Sequence, residues 1–387
     1  MKIRMKNTFF RIVKSESVAN ILANIMYGIL LVVYYLVRLF TKGKIHLDTQ
    51  KAKVFLNSIS PKPQMDYSIK GQMQKKDLSI IVPAFNSEKT IEKCIESVIN
   101  QKTKYDYELV IINDGSSDNT QTLVEKYDNP DIILVNQDNM GFSGARNRGI
   151  DESTGKYLMF LDSDDYLIDN CIDSMMDEIT NNKTDIVQAS YSFVYEESNE
   201  KKDIVLTEKA IEEDKEEITL NPGYPWAKIY KRKLFEKIRF PLDVWFEDTI
   251  TCMLLFRICS SASVMSKIVY GYRINPDGIT QRARNNNKCI DHYWVMEHCL
   301  EKAKELGLPN DDLQYELVKK HMSTLLYRRI AKMDEETKKC AFILASEMLN
   351  NIRPNNYKCK GNRMEKDLEK AFSNGYYKLW KLASFIV

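Results

Sequence analysis

The sequence predicts an α/β fold organised around a mostly parallel sheet. Between residues 77 and 161, short apolar runs alternate with segments whose apolar residues recur at helical spacing. This alternation is typical of parallel strands with helices on both faces. Polar clusters directly follow three of the runs, at Pro83–Asn86, Asn113–Gly115 and Asp162–Asp165. Ligands of such sheets bind beyond the carboxyl ends of the strands, so these clusters mark the expected site.

The individual elements follow from the same periodicities. Apolar runs predict strands at 78–82, 108–112, 132–135 and 157–161. Helical spacing predicts helices from about Ile91 with Ser87 as N-cap, from near Asp118, and from Ser143 to Ile150. Further along, we expect an exposed insertion at 196–216, a basic amphipathic segment at Trp226–Phe240, a helix opening at Glu247-Asp248, and mostly helix after Arg273.

The N-terminal region contains a long uncharged segment, Val18–Val37. Twenty helical residues span about 30 Å, the thickness of the hydrocarbon layer of a membrane. Basic residues flank the segment on both sides. The sequence leaves open whether this helix spans a membrane, lies in its plane, or is buried in a soluble fold. We therefore expect four regions: a membrane-associated helix at 1–44, a linker with one short helix at 45–76, the α/β domain at 77–275 and a helical region at 276–387.

Charge and cysteine usage restrict the classes of function. The net charge is +2, but residues 1–53 carry ten Lys or Arg and only two acids, and residues 351–387 carry eight Lys or Arg and three acids. Two basic ends around an acidic middle favour contact with an anionic membrane over nucleic-acid binding. The eight cysteines and four histidines are dispersed. This pattern disfavours a zinc site and is typical of reduced core cysteines.

Two acidic clusters are candidates for chemistry. Asp162-Ser163-Asp164-Asp165 is either an acidic surface turn or a set of oxygen ligands for Mg²⁺ or Mn²⁺, because clustered carboxylates repel one another unless a cation lies among them. Glu247-Asp248 is either a functional pair or simple capping, since acids in the first turn of a helix are stabilised by its dipole.

Four segments in this order resemble family 2 glycosyltransferases of the GT-A fold: 82–88 (VPAFNSE), 113–118 (NDGSSD), 141–147 (GFSGARN) and 162–165 (DSDD). The resemblance covers roughly residues 77–275. It implies the GT-A nucleotide-diphospho-sugar transferase fold and a bacterial enzyme of capsule, exopolysaccharide or cell-wall glycan synthesis.

The resemblance also implies roles for individual residues. Asp248 would be the catalytic base, and Asp164, together with Asp162, would bind the metal. Asp165 is expected to be only a solvated neighbour or a helix cap. The nucleotide would be bound by Pro83, Ala84, Asn86, Glu88, Asp114, Arg146, Asp162 and Ser163. Acceptor or phosphate contacts would come from Trp226, Lys228, Glu247 and Arg273. Gly278 stands where many relatives have Ser, which leaves the Arg273 contact unsettled.

The function expected from these features is metal-dependent transfer of one sugar, with inversion, from a nucleotide sugar to a glycan acceptor. UDP is the expected nucleotide, Mn²⁺ or Mg²⁺ the cofactor, and a lipid-linked saccharide the acceptor. Such an enzyme would act at the cell membrane with its catalytic domain on the cytoplasmic side. The rival interpretations are a sugar nucleotidyltransferase and a non-catalytic membrane-associated scaffold of the same fold. The terminal segment 375–387 is expected either on a membrane or as a docked helix.

Overall fold

The structure, a computed structural model, describes residues 2–13, 15–46, 48–70, 74–196, 198, 200–212, 223–275 and 286–386. Their contacts divide the chain into two compact units. Unit one comprises Met1–Lys62, Arg282–Trp294 and Asn310–Val387. Unit two comprises Pro63–Gln281 and Val295–Pro309.

Unit two is built on one sheet, to which the described residues contribute ten strands in the order β3-β2-β1-β4-β9-β6-β10-β5, with β7 beside β6 and β8 beside β10. The strands are β1 (Lys76–Ala84), β2 (Tyr107–Asp114), β3 (Ile132–Gln137), β4 (Gly155–Phe160), β5 (Tyr166–Leu167), β6 (Ile186–Tyr195), β7 (Glu200–Ile204), β8 (Lys209–Glu212), β9 (Lys228–Lys231) and β10 (Ser261–Arg273).

The first four strands of the sheet are parallel, as the sequence predicts. Strand β1 pairs in parallel with β2 and β4, and β2 pairs in parallel with β3. The rest of the sheet is mixed: β9 runs antiparallel to both β4 and β6, whereas β10 is parallel to β6. The predicted insertion at 196–216 contributes β7 and β8, which pair antiparallel to β6 and β10.

Helices of unit two cover both faces of the parallel strands. They are α4 (Ile91–Ile99), α5 (Thr120–Glu125), α6 (Gly141–Glu152) and α7 (Cys171–Asn181), followed by a π-helical turn (Thr251–Leu255) that continues into α8 (Phe256–Ile258). Leu109 and Ile111 of β2 belong to the core cluster that includes α4 and α7, while Val110 and Ile112 pack with Ala145 of α6. Alternate side chains of a strand point to opposite faces, so β2 is buried on both sides.

Unit one is helical. Its helices are α1 (Lys2–Val13), α2 (Glu16–Val37), α3 (Thr49–Ile59), α10 (Asp312–Lys320), α11 (Leu326–Ile330), α12 (Glu335–Ile352), α13 (Arg363–Asn374) and α14 (Tyr377–Ile386); α9 (Asp291–Glu305) has residues in both units. Trp380 of α14 is fully buried and packs on Phe342 of α12 with ring centroids 5.4 Å apart. The expected short helix in 45–76 is α3, and the terminal segment is a docked helix.

The predicted membrane helix is the most exposed apolar element of the described chain. By length and composition alone, the helical stretch Glu16–Phe40 is able to cross a membrane. Of the large apolar side chains of α2, only Tyr34 is buried, and Ala19 and Ala23 are the other buried residues of this helix. Helix α1 packs against α2.

Two local predictions were wrong. Ser87 is not the N-cap of α4; Thr90 occupies that position, and the backbone carbonyl of Ser87 accepts from the N–H groups of Thr90 and Ile91. Trp226–Phe240 was expected to be a basic amphipathic segment, but it contains strand β9 and a 3₁₀ turn, and Lys228 is fully buried. A buried strand and an amphipathic helix share similar short apolar patterns, which explains the error.

Candidate active site

The strand register brings the three predicted polar clusters to one edge of the sheet. Ala84 at the end of β1 lies opposite Asn113 of β2, and Asp114 lies opposite Gln137 of β3. On the other side of β1, Ile81 pairs with Phe160, two residues before Asp162. Parallel strands therefore deliver these residues to the same carboxyl edge.

The acidic turn after β4 contains three carboxylates in different environments. Asp162 is partly exposed, and Asp164 is mostly shielded from solvent. Burial, and next the charge of Asp162, raises the pKa of Asp164 to about 6. The turn thus places a carboxylate in a poorly solvated environment beside a second negative charge, while Arg273 and Arg146 oppose the rise.

Asp165 is a structural residue, contrary to the expectation of a solvated neighbour or helix cap. Its side chain is 1% exposed, accepts a 2.7 Å hydrogen bond from the Tyr270 hydroxyl and a 2.8 Å bond from the Arg273 backbone N–H. Its own N–H donates to the Asp162 carbonyl. Asp165 thus ties the acidic turn to β10, a contact between distant parts of the chain that local sequence does not reveal.

Arg146 joins the acidic turn to the Glu247-Asp248 segment. Nη2 of Arg146 donates to Oδ1 of Asp162 at 2.8 Å, and Nη1 donates to Oε1 of Glu247 at 2.5 Å. The guanidinium is buried; burial disfavours its charge, yet the two carboxylates raise its pKa above the ordinary value. Glycines and small residues of α6 permit the close packing of this helix on β1 and β2, which positions Arg146.

Glu247 and Asp248 lie in the turn that opens the next helix. Glu247 is 7% exposed, while Asp248 is half-buried. Burial raises the pKa of Glu247, the charge of Arg146 opposes that rise, and the charge of Asp248 adds to it. Phe246 immediately before them has φ of 70°. A non-glycine residue in that region is strained by about 1–3 kcal/mol and persists only where its surroundings enforce it.

The β1 loop is held against the β2 loop by its own side chains. Oδ1 of Asn86 accepts from the backbone N–H of Ser117 at 2.9 Å, and Oε2 of Glu88 accepts from the backbone N–H and the side chain of Asn119. Ser87 and Ser163 approach to 2.7 Å through their hydroxyls. The loop that follows Pro83 and Ala84 of β1 is thereby held on both sides, with Asn86 at φ of 50°.

Asp114 is 2% exposed at the end of β2. Its Oδ1 accepts from the side chain of Gln137 at 2.7 Å and from the backbone N–H of Met140 at 2.8 Å. Gly115 follows with φ of 72°, and a Cβ there would meet the backbone N of Asn139 at 2.9 Å. Only glycine fits this turn without strain, so the Asn-Asp-Gly segment holds Asp114 in place.

An aromatic cluster of Tyr191, Tyr224, Trp226, Tyr270 and Tyr272 lies beside the acidic turn. The Trp226 ring stacks on Tyr224 at 3.8 Å and on Tyr270 at 4.9 Å. Because the Tyr270 hydroxyl donates to Asp165, the cluster and the turn are directly connected. Trp226 is 8% exposed, so most of its surface serves packing.

Two cationic side chains predicted for this site differ in their hydrogen bonding. Nζ of Lys228 donates to the Tyr224 carbonyl at 2.6 Å, and burial lowers the pKa of this lysine well below its ordinary value. Arg273 is 7% exposed, and its Nε lies 3.2 Å from Oε1 of Glu196. Its Nη2 has no hydrogen-bond partner among the described residues. A buried donor without a hydrogen-bond partner costs free energy, so Nη2 of Arg273 is a candidate donor to an anionic group.

Within the described part of the chain, no three His, Cys, Asp or Glu side chains are grouped so that they alone could hold a metal ion. The donors that are present fit a shared site better than a closed one. Mg²⁺ is commonly bound by one or two carboxylates together with phosphate oxygens of a substrate. Asp164 offers a hard, destabilised carboxylate of that type next to Asp162.

Sequence reasoning missed Asp165, Tyr224 and Tyr270 as parts of this arrangement. Their contacts join residues about a hundred positions apart, as in the bond from Tyr270 to Asp165. The structure itself marks this region by backbone strain. Three residues with positive φ are predicted site residues or lie next to one: Asn86, Ala227 and Phe246. Strain of this kind clusters at functional sites but is invisible in sequence composition.

Comparison with known proteins decides the family. Residues 79–239 match the model of Glycosyl transferase family 2. The chain carries a family 2 glycosyltransferase domain. This domain spans β1 to β9 and includes the acidic turn and Arg146. The family predicted from the four motifs is therefore confirmed.

The relatives agree with this assignment. The chain is 33% identical to the glycosyltransferase EpsJ of Bacillus subtilis over 220 residues, which cover 53% of this chain and 63% of EpsJ. It therefore spans less than two thirds of that relative. It is 27% identical over 288 residues to the Campylobacter jejuni GalNAc(5)-diNAcBac-PP-undecaprenol beta-1,3-glucosyltransferase, covering 70% of this chain and 89% of the relative.

Solved structures confirm the fold. S. aureus TarS 1–349, in a complex with UDP-GlcNAc, superposes with a TM-score of 0.64 at 21% identity, covering 79% of this chain and 90% of that chain. At this identity the likeness concerns the fold alone. The predicted GT-A-type α/β architecture with a helical C-terminal region is thus correct.

Proposed function

We propose that the protein is an inverting, metal-dependent glycosyltransferase that moves one sugar from a UDP-sugar to a lipid-linked glycan acceptor in bacterial surface polysaccharide synthesis. The observation that carries the proposal is the buried bridge from Asp162 through Arg146 to Glu247. This bridge joins the acidic turn after β4, which is suited to binding a diphosphate, to the segment that contains the carboxylate of Asp248.

The donor half of the reaction is assigned to the carboxyl edge of the sheet. The nucleotide would lie at the ends of β1 and β2, where the loops after these strands meet. The residues assigned to its pocket are Pro83, Ala84, Asn86, Glu88 and Asp114. Several of these side chains already brace loop backbones, so their part is to shape the pocket. The complex of TarS with UDP-GlcNAc supports a UDP-sugar as the donor.

Asp164, assisted by Asp162, would hold Mn²⁺ or Mg²⁺, and the metal would neutralise charge on the departing diphosphate. The raised pKa of Asp164 supports this role, because a divalent cation would stabilise a carboxylate whose charge is disfavoured by burial and next by Asp162. Arg273 would add a donor to the same diphosphate through its unpartnered Nη2. Ser163 lies in the same turn, with its hydroxyl against Ser87.

The acceptor half is assigned to Asp248, and the buried Trp226 and Lys228 are proposed to support this part of the site through packing. Asp248 would remove the proton from the attacking hydroxyl, which a positioned carboxylate does efficiently. One base attacking opposite the leaving group gives inversion at the anomeric carbon. Glu247, held by Arg146, would position Asp248 rather than touch substrate. The C. jejuni relative, named for transfer onto an undecaprenyl-diphosphate glycan, supports a lipid-linked acceptor.

The proposed location is the cell membrane, with the catalytic domain on the cytoplasmic side. Support comes from the exposed apolar helix α2, which by length and composition is able to cross a membrane. The cytoplasmic side is proposed because the proposed donor, a nucleotide sugar, is a cytoplasmic metabolite.

The test is a screen of the purified full chain with a panel of nucleotide sugars, in Mn²⁺ and in chelator. We expect metal-dependent release of the nucleoside diphosphate from one donor, increased by a lipid-linked glycan acceptor. Release of pyrophosphate from a nucleoside triphosphate and a sugar phosphate would instead identify a nucleotidyltransferase. No binding of any nucleotide with metal, measured by calorimetry, would identify a scaffold.

A further inference from the structure

Helix α13 separates its charges by sign. Its three acidic residues are each used inside unit one: Glu365 accepts from the backbone N–H of Asn362 in a capping box, and Asp367 and Glu369 are 0% and 8% exposed and paired with arginines. The exposed side chains of opposite sign, Arg363, Lys366 and Lys370, lie at positions i, i+3 and i+7. This spacing places them on one face of the helix.

This basic face, defined as Arg363, Lys366 and Lys370, is only weakly compensated. Arg363 lies 3.9 Å from Asp367, a carboxylate that already binds a second arginine. Lys366 and Lys370 have no ion-pair partner among the described residues. Because all three acids of α13 are engaged by other groups of unit one, they do not neutralise the basic face, and this surface is positively charged.

The same helix holds the end of the apolar helix α2. The Tyr34 hydroxyl donates to Oδ2 of Asp367 at 2.7 Å, and Arg38 donates to both carboxylate oxygens of Asp367. Farther along, the backbone N–H of Ile45 donates to the carbonyl of Gly375, just after α13. Helix α13 and the glycine after it therefore hydrogen-bond to residues on both sides of the C-terminal end of α2.

Apolar side chains are exposed at this junction. Leu39 and Phe40, directly after Arg38, are 61% and 83% exposed. Large apolar residues beside a cationic stripe match the chemistry of an anionic bilayer, whose surface attracts lysines and whose acyl boundary takes apolar groups. An acidic protein would satisfy the stripe but would leave Leu39, Phe40 and the apolar face of α2 uncovered.

We propose that the basic face of α13 docks on an anionic lipid bilayer, with the Arg38–Asp367–Tyr34 contact fixing this face beside the membrane-embedded end of α2. The inference rests on the membrane association in the proposed function and adds to it a lipid preference. Each lysine or arginine near an anionic surface contributes about 1 kcal/mol, so three of them correspond to an affinity difference of about 100-fold.

The test compares the full chain with two triple variants by vesicle flotation across a range of lipid concentrations. The first is R363Q/K366Q/K370Q. The matched control, K102Q/K126Q/K156Q, removes the same net charge from exposed lysines of unit two. Vesicles of phosphatidylcholine alone are compared with vesicles containing about one third phosphatidylglycerol.

We expect the first triple to bind anionic vesicles about 100-fold more weakly than the unmodified chain, and the control triple to bind within about threefold. Neutral vesicles should bind all three proteins equally, and high salt should remove the difference. Equal losses in both triples, or no dependence on lipid charge in the unmodified chain, would overturn the proposal. Hydrolysis of the nucleotide sugar in detergent should be equal in all three, which separates this result from the proposed function.

Discussion

Two buried arginine networks, one in each unit, use the same chemistry for different ends. In unit one, Arg38 and Tyr34 converge on the single carboxylate of Asp367, and Arg363 lies nearby. In unit two, Arg146 alone is shared by two carboxylates, Asp162 and Glu247. The first network has enough donors for its acid, whereas the second leaves acids in excess.

The excess marks the candidate site. Asp164 lies two residues after Asp162, and its pKa is raised first by burial and next by the charge of Asp162. Burial likewise raises the pKa of Glu247, and the charge of Asp248 adds to that rise. A purely structural network is expected to be neutral, because unpaired buried charge is costly. Surplus negative charge at a strand end is tolerated where a cation completes the site. The comparison therefore separates an attachment from a site for chemistry.

The largest expected effect is on Asp248. Asp248→Asn keeps the size of the side chain but removes its basicity, so kcat for sugar transfer should fall about 10²–10⁴-fold. The dissociation constant for UDP with Mn²⁺, measured by calorimetry, should change less than threefold because the base belongs to the acceptor half. Asp169→Asn, at an exposed aspartate, serves as the control. Transfer at the unmodified rate would remove Asp248 from the mechanism.

The two arginines provide the next test. Arg146→Met leaves two carboxylates near one another without their shared cation, and should lower the free energy of unfolding by about 3–5 kcal/mol. Arg38→Met should cost about 1–2 kcal/mol, because Asp367 retains the Tyr34 hydroxyl. Urea unfolding followed by hydrogen exchange separately in β2 and α12 would measure each unit.

This pair of variants has a second readout. Arg146→Met should also impair UDP binding, since Asp162 loses its orientation, while Arg38→Met should leave UDP binding unchanged. Equal stability losses would mean that the two networks are equivalent, and the distinction drawn between them would then fail.

The sequence was sufficient for the parallel half of the fold and for the order of the motifs. Buried parallel strands are continuous apolar runs, so β1, β2 and β4 were predicted within about three residues of their bounds. Because the carboxyl ends of parallel strands share an edge, the sequence alone predicts that Asp114 and Asp162 lie at the same edge of the sheet.

The mixed half of the sheet could not be predicted in the same way. Strand β9 is four residues long and lies in a segment rich in lysine and arginine, which was expected only to be basic and amphipathic. Its strand conformation depends on pairing with β4 and β6, which are distant in sequence. Asp165 was misjudged for the same reason, because its partners Tyr270 and Arg273 lie on β10.

The pH dependence of unit one sharpens the contrast between the units. Burial, together with the charge of Arg329, lowers the pKa of His321 to about 3. The ring of His292 stacks on that of His321 with centroids 5.2 Å apart, and burial lowers the pKa of His292 as well. The unfolded chain binds a proton on His321 near pH 6.5 and the folded chain does not, so stability rises with pH between these values.

Acidification from pH 8 to pH 5 should therefore destabilise unit one by about 2 kcal/mol through His321 alone. Hydrogen exchange in α12 would report this loss, and His321→Asn should reduce it by about 2 kcal/mol, leaving the contribution of His292. A slope of opposite sign in the unmodified chain would show that the histidine is charged in the folded state.

The smallest effect is expected for Asp164, and its sign is the informative part. Asp164→Asn removes a charge that burial and Asp162 make unfavourable, so the ligand-free protein should be stabilised by about 1 kcal/mol at pH 8. The same variant should weaken Mn²⁺-dependent UDP binding at least tenfold, because the carboxylate is the proposed ligand. Asp169→Asn should do neither. Loss of stability together with unchanged UDP affinity would show that Asp164 is a structural acid like Asp367, and the surplus charge of unit two would need another explanation.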